Sequence, residues 1–387
     1  MIDSRIMNSK IPFWKHSLEK INFEKVKETI QNNHITSGPI SKIIEKKISQ
    51  LLKNKYSLLT SSCTTALQVS LMSIGLKPGD EVITTPMSFI ATSNAIILSG
   101  GIPKFIDVDP KTGLMDLNLL DKAITEKTKA IIPVHLYGQM VNIKRLKEIS
   151  EKRNIKIIED SAHAFEAQMD GKSPGSISSA SALSFYATKA ITCGEGGCLT
   201  TNDKSVYEKA KKIILHGMDK APASRGDNFY SHYDMPNLGM KCNLDDISAS
   251  LLLDQVEEKW VNENLEKRIV VDSKYREKLE GIERFGIKIH PQYSKGDSPY
   301  LFTIRIPKER DLFLRRLEEA QIGISVNYRP IHLMTYYRNK FDYADGDFPH
   351  AEKIGNSTVT LPSHGNLKDD EINYITEKIR EIASEIL

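Results

Sequence analysis

The sequence is short of cysteine, of charge of one sign and of long apolar runs, and each shortage removes a class of protein. Four cysteines, Cys63, Cys193, Cys198 and Cys242, stand among 387 residues. None forms a CxxC pair, and so few in so long a chain make no disulfide scaffold, which points to a reducing compartment. Lys and Arg total 53 against 50 Asp and Glu, and the surplus of +3 creates no field that calls for nucleic acid or an acidic membrane surface. Apolar stretches such as 95–98 run out at Ser99-Gly100-Gly101, well below the roughly 20 residues that cross a bilayer. The opening MIDSRIMNSKIPFWKH is interrupted by polar residues every few positions, unlike a secretory signal. No repeat or low-complexity tract is visible, and no metal is expected. The expectation is a cytoplasmic protein without a membrane or nucleic-acid partner.

What is present is 40% hydrophobic residues, enough for a full-sized core and for about two domains. Short runs rich in β-branched residues at 81–85, 103–108, 130–135, 156–160 and 182–186 alternate with helical segments. Leu67, Leu71 and Ile74 share one face of 63–74, and Ile143, Leu146 and Ile149 repeat at helical spacing in 143–153. Strands apolar on both faces, alternating with helices, predict an α/β fold with a mostly parallel sheet covered on both sides. Beyond Asp245 the pattern turns to charged helices at 246–258 and 261–279, a strand at 300–306, a helix at 310–320, a Gly323 turn into 324–328 and an amphipathic helix at 369–387. A large domain over residues 1–245 and a smaller α+β domain over 246–387 follow.

Three features carry chemistry. Asp160 ends the apolar run 155–160, and ligands of open α/β sheets bind at the carboxyl ends of strands; helix capping by Asp160 or Ser161 is the plain alternative. Lys189 follows the apolar strand Ser184-Phe185-Tyr186, where partial desolvation favours the neutral amine that attacks carbonyls, although most lysines are merely solvated. Ser61-Ser62-Cys63-Thr64-Thr65 opens a helix, and free N–H groups there suit a phosphate, as they suit ordinary capping. A phosphate cradle, a strand-end Asp and a strand-end Lys, in that order, say more than any one of them.

That order resembles the fold-type I pyridoxal-phosphate enzymes, and in detail the DegT/DnrJ/EryC1/StrS sugar aminotransferase family. The similarity runs from Ile35-Thr36-Ser37-Gly38-Pro39 through SSCTTAL, Gly79-Asp80-Glu81-Val82-Ile83-Thr84, Pro133-Val134-His135-Leu136-Tyr137-Gly138 and Glu159-Asp160-Ser161-Ala162-His163. It continues through Thr188-Lys189 with the Gly194 to Gly197 run, His216-Gly217 and Gly239-Met240-Lys241-Cys242-Asn243-Leu244. The resemblance implies pyridoxal 5'-phosphate as cofactor, with Lys189 attaching it and then moving the proton. Asp160 would pair with the ring nitrogen, His163 would lie beside the ring oxygen and Phe89 would stack on the ring; core packing is the plain reading of Phe89, and a structural histidine that of His163. Thr64, Thr65 and Ser184 would hold the phosphate. Cys63 stands where the family commonly has Gly.

The resemblance further implies a homodimer with a shared site, which Asn243 would reach from the neighbouring subunit. The Lys-x-Asn form of 241–243 is similar to the nucleotide-sugar 4-aminotransferases, so glutamate as donor and the C4 keto group of a nucleotide-linked keto-sugar in surface-glycan biosynthesis as acceptor are expected. By the same resemblance Tyr328 and His332 occupy the segment that lies near the sugar pocket in relatives, with Asn327 where His is common; Arg225 lies in 220–236, which reads as a substrate loop and equally as an ordinary surface loop. A lysine at 189, where the family's dehydratases carry histidine, favours transamination. Two rivals stand beside this reading: another fold-type I enzyme using Cys193 or Cys198 as nucleophile, and a non-catalytic sugar-nucleotide-binding regulator.

Overall fold

The computed structural model describes residues 10–32, 34–219 and 232–387. Seven strands form the main sheet: β1 (Tyr56–Thr60), β2 (Glu81–Thr84), β3 (Ile102–Phe105), β4 (Thr128–Ile131), β5 (Lys156–Asp160), β6 (Ala180–Ser184) and β7 (Gly197–Thr201). Their order is β1-β7-β6-β5-β4-β2-β3. Neighbours from β6 to β3 pair in parallel, and β7 alone runs antiparallel to both of its partners. The predicted mostly parallel sheet is therefore present, and β1 and β7 extend it beyond the predicted strands. The β7 stretch Gly-Cys-Leu-Thr-Thr reads in sequence as the tail of a glycine run.

Alternation of side chains explains why both faces of this sheet are buried. Leu58, Val82, Ala130, Ile158, Ala182 and Leu199 point to one face. Their neighbours Leu59, Ile83, Ile131, Ile157, Leu183 and Cys198 point to the other. Helices α1 (Phe23–Gln31), α2 (Pro39–Leu52), α3 (Cys63–Ser73), α4 (Ala91–Leu98), α5 (Leu120–Ala123), α6 (Ile143–Arg153) and α7 (Lys204–Ile213) lie among and outside these strands. On the first face α3 packs with the α7 residues Val206, Ala210 and Ile213; the second carries Ile44 and Ile48 of α2 at one end, and Ile143 and Leu146 of α6 at the other.

A second, antiparallel sheet has the order β10-β9-β8, from β8 (Lys288–Ile289), β9 (Phe302–Arg305) and β10 (Thr358–Leu361). Around it lie α8 (Asp246–Ser250), α9 (Glu258–Lys278), α10 (Arg310–Glu319), α11 (Thr335–Phe341), α12 (Pro349–Ser357) and α13 (Asp369–Ile386). The single helix expected over 246–258 is two pieces. In the run of turns between them, the Gln255 side-chain amide accepts the Thr192 N–H at 2.9 Å and donates to the Thr192 carbonyl at 2.7 Å. Residues 324–328 make only the isolated bridge Ser325 to Thr360. Ile11, placed in sequence with residues 1–245, instead pairs with Ile322 and packs in the core of the second sheet.

Two buried carboxylates tie these parts together. Asp246, with no exposed surface, accepts the amides of Gly38 and Ser41 at 2.9 Å and of Ile40 at 3.0 Å, capping α2 from two hundred residues away. Glu166, just past β5, pairs with Arg268 of α9; Ser298 donates to the same carboxylate at 2.8 Å. Breaking such a pair from one side leaves an uncompensated buried charge.

A third carboxyl lacks a cation. Glu45 of α2 accepts the Leu59 amide at 2.9 Å and steadies β1 just before it leads into α3. Burial raises its carboxyl to about 7, against the Leu59 amide and the charges of Lys42 and Lys211. Because the unfolded chain ionises it near 4.5, this group costs stability as pH rises from that value, and the cost levels off above about 7. Glu45→Gln is expected to stabilise the protein by about 3 kcal/mol at pH 8 and to leave stability nearly unchanged at pH 4.5. Urea unfolding at the two pH values checks this, and an equal gain at both would refute it.

Candidate active site

A cavity of about 630 Å³ opens where β5 and β6 end. Asp160 and Ser184, the last residues of those strands, line it together with His163, Lys189 and the first turn of α3. Tyr300 and residues 325–328 close it from the second sheet's side. Most of the residues predicted from sequence thus meet in one place.

Asp160 is 6% exposed, yet its carboxyl meets only neutral donors. Oδ2 accepts the Thr92 hydroxyl at 2.6 Å and Oδ1 the Ala162 amide at 3.2 Å. The strand end itself is held by backbone bonds to Pro133 and His135. The His135 Nε2 lies 2.7 Å from Glu159, and its Nδ1 accepts the Val141 amide.

His163 accepts the Tyr137 amide on Nδ1 at 3.3 Å, so the proton of the neutral ring belongs on Nε2, 3.0 Å from the Tyr328 hydroxyl. Its ring lies 4.4 Å from that of Tyr300. Burial, and then the positive charge of Lys189, hold His163 well below the usual histidine range, which keeps it neutral. The half-buried Lys189 amine sits 4.7 Å from the centre of the Tyr300 ring and forms no ion pair with a described residue.

The α3 terminus spends some of its donors on itself. Ser62 accepts the Thr65 amide at 3.1 Å, and the Thr65 hydroxyl accepts the Ser62 amide at 3.1 Å. Thr65, expected as a phosphate contact, is therefore occupied as a cap and does not line the cavity. Cys63 and Thr64 do line it, and as first-turn residues their N–H groups have no acceptor within the helix. Cys63 begins α3 with a negative φ, so the side chain in place of glycine causes no strain. The close approach is needed elsewhere: a Cβ on Gly197 would stand 2.3 Å from the Ser62 carbonyl carbon and 2.4 Å from the Cys63 nitrogen.

Phe89 is 58% exposed and offers its ring to the cavity, 6.1 Å from that of Tyr328. His332 does not reach the site. It is fully buried, bonded through Nε2 to Glu352 at 3.0 Å, and packed 4.8 Å from the Phe348 ring, so core packing claims it. Asn243 lies outside its own chain's cavity, beside Thr60, with its amide on the Ser37 hydroxyl at 2.5 Å. Arg225 lies outside the described residues. Cys193 and Cys198 are buried away from the cavity; burial pushes the Cys193 thiol up to about 12 and the Cys198 thiol higher still, which disfavours either as nucleophile. Sequence reasoning passed over Tyr300 and Thr92, since a Tyr beginning a strand and a Thr in an apolar helix look like packing residues.

A model of the DegT/DnrJ/EryC1/StrS aminotransferase family matches residues 16–380. The chain belongs to that family. SpsC, a spore coat polysaccharide biosynthesis protein of Bacillus subtilis (strain 168), is 32% identical over 383 residues, covering 97% of each protein. Among solved structures, the PMP form of Spr1654 from Streptococcus pneumoniae superposes with a TM-score of 0.91 at 30% identity, over 97% of this chain and 100% of that one. PseC of Helicobacter pylori, an aminotransferase involved in the biosynthesis of pseudoaminic acid, gives 0.88 at 27% identity, over 98% and 100%.

The fold is fold-type I and the cofactor is pyridoxal 5'-phosphate. The cavity suits it: two unpaired amides for a phosphate, an open aromatic face, a carboxyl without a cation and an amine without an anion. Among the described residues, no helix is long and apolar enough to cross a membrane. Gly197→Ala is expected to push the α3 terminus out of place and weaken pyridoxal phosphate binding about tenfold or more, with far-UV circular dichroism unchanged. Titration of the apoprotein with the cofactor measures this; wild-type affinity would contradict the cradle.

Proposed function

We propose that the protein transfers an amino group from L-glutamate to the C4 keto carbon of a nucleotide-linked keto-sugar, in the making of a surface glycan. The observation that carries the reading is the meeting of Asp160, which ends β5, and Lys189, in the turn after β6, in one cavity lined by an open aromatic face. Support for a sugar substrate comes from the relatives, since one is a spore coat polysaccharide biosynthesis protein and another is involved in the biosynthesis of pseudoaminic acid. The 4-position and the nucleotide rest on the Lys241-x-Asn243 pattern.

When bound, the cofactor supplies the aldehyde that receives the amino group and a ring that spreads the electron pair left on the substrate carbon. This chain's residues do the remaining work. The amides of Cys63 and Thr64 and the Ser184 hydroxyl hold the phosphate at the positive end of α3. Phe89 would cover the ring face, Asp160 would keep a proton on the ring nitrogen, and neutral His163 would lie beside the ring oxygen. Lys189 would attach the cofactor and then act as base and acid of the 1,3-proton shift, taking the proton from the donor's α-carbon. Residues 1–245 would carry the cofactor and 246–387 close over it, with Tyr328 facing the sugar. Asn243 would complete the site of a second subunit in a homodimer.

Glutamate added alone to the loaded enzyme should shift the visible cofactor band and release one equivalent of 2-oxoglutarate per site, as a two-stage transfer requires. No change with glutamate or any other amino acid would sink the assignment. Lys189→Ala should lose borohydride-fixable attachment of the cofactor and slow 2-oxoglutarate release by about a thousandfold or more. Nucleotide keto-sugars, with products read by mass and proton couplings, then test the acceptor and position.

A further inference from the structure

The Asp160 carboxyl is held by two linked hydroxyls that no part of the proposed chemistry uses. Thr92, in the first turn of α4, is fully buried, and its hydroxyl has three oxygen neighbours: Asp160 Oδ2 at 2.6 Å, Ser88 Oγ at 2.7 Å and the Phe89 carbonyl at 3.3 Å. Carboxylate and carbonyl oxygens only accept, and Thr92 has one proton to give. The nearer carboxylate oxygen takes it, so Ser88 must be the donor in its contact with Thr92. The hydrogen bonds run in one direction, Ser88 to Thr92 to Asp160. Phe89, whose ring faces the cavity, lies inside the same turn.

We propose that Ser88 and Thr92 are positioning residues that hold Asp160 as the acceptor of the ring-nitrogen proton and fix Phe89 to the same frame. The inference rests on the reading of Asp160 given above. Its physical basis is that a hydroxyl donated to a carboxylate in a buried site favours the charged form and fixes its direction, and that a chained donor strengthens the bond it feeds. Around Asp160 the titratable and charged groups are Cys63 of α3, His163 and His135 beside β5, Lys189 after β6, and Tyr328. Helix α4 contains no charged residue. What it gives Asp160 is the hydroxyl pair alone.

The test loads the wild type, Thr92→Val, Thr92→Ser, Ser88→Ala and Asp160→Asn with pyridoxal phosphate carrying ¹⁵N in the ring, and follows the nitrogen shift with pH. Thr92→Val keeps the shape and removes the donor. Its ring nitrogen should lose the proton about one to two pH units lower than in the wild type. Ser88→Ala should move part of the way, and Thr92→Ser should restore wild-type behaviour. A purely structural role would lower the thermal midpoint without moving the nitrogen, and that result overturns the proposal. If Thr92→Val does not fold, Ser88→Ala decides, and a wild-type nitrogen in that variant counts against the relay. Should Asp160→Asn also leave the nitrogen unchanged, the reading of Asp160 falls and the relay with it; a response in Asp160→Asn alone overturns only the relay.

Discussion

Asp160 ends its strand with a buried carboxyl that neutral donors alone attend, and the rest of the site is arranged around that fact. A carboxylate taken out of water is costly unless it is hydrogen-bonded and paired. The structure supplies the hydrogen bonds, through Thr92 and Ala162, and leaves the pairing to a ligand. Lys189 shows the complementary condition, an amine beside an aromatic ring without a carboxylate partner. Direct pairing of the two within the chain would quench both. They reach the cavity from different segments, Asp160 at the end of β5 and Lys189 in the turn after β6, and no ion pair joins them.

The second sheet contributes by restraint. Arg268 of α9 reaches Glu166 just past β5, and its Nη1 also donates to the Pro299 carbonyl at 2.7 Å. On the opposite side of that contact, a Cβ on Gly138 would fall 1.7 Å from the Ser298 carbonyl oxygen, and the Ser298 amide donates to the Gly138 carbonyl. These contacts bring Tyr300 against His163 and Lys189. The cavity wall is consequently as firm as the joint between the two sheets.

Much of this was legible in the sequence, and for a physical reason. Lys189, Asp160 and Ser184 sit at strand ends, where a change from apolar to polar residues is visible in one dimension. Strand and helix positions with strong periodicity, such as 156–160 and 143–153, were read at their observed limits. Thr65 and His332 were misplaced because local competition is invisible in a string: a hydroxyl three residues back claims one, and Glu352 claims the other. Strand β7 was missed because its glycine serves α3 across the sheet, a demand that comes from a segment more than a hundred residues earlier. Tyr300 gave no signal, since the His163 and Lys189 it meets in the cavity lie over a hundred residues away.

The pairing of Ile11 with Ile322 also bears on biosynthesis. Ile11 exchanges backbone hydrogen bonds with Gln321 and Gly323, and Phe13 two residues on lines the cavity. Ser325 in turn is bridged to Thr360 of β10. During translation, at about 5–20 residues per second, the early residues therefore wait for most of the chain to emerge before they find their place. The large sheet's residues emerge while the cavity still lacks the wall that Tyr300 and residues 325–328 supply.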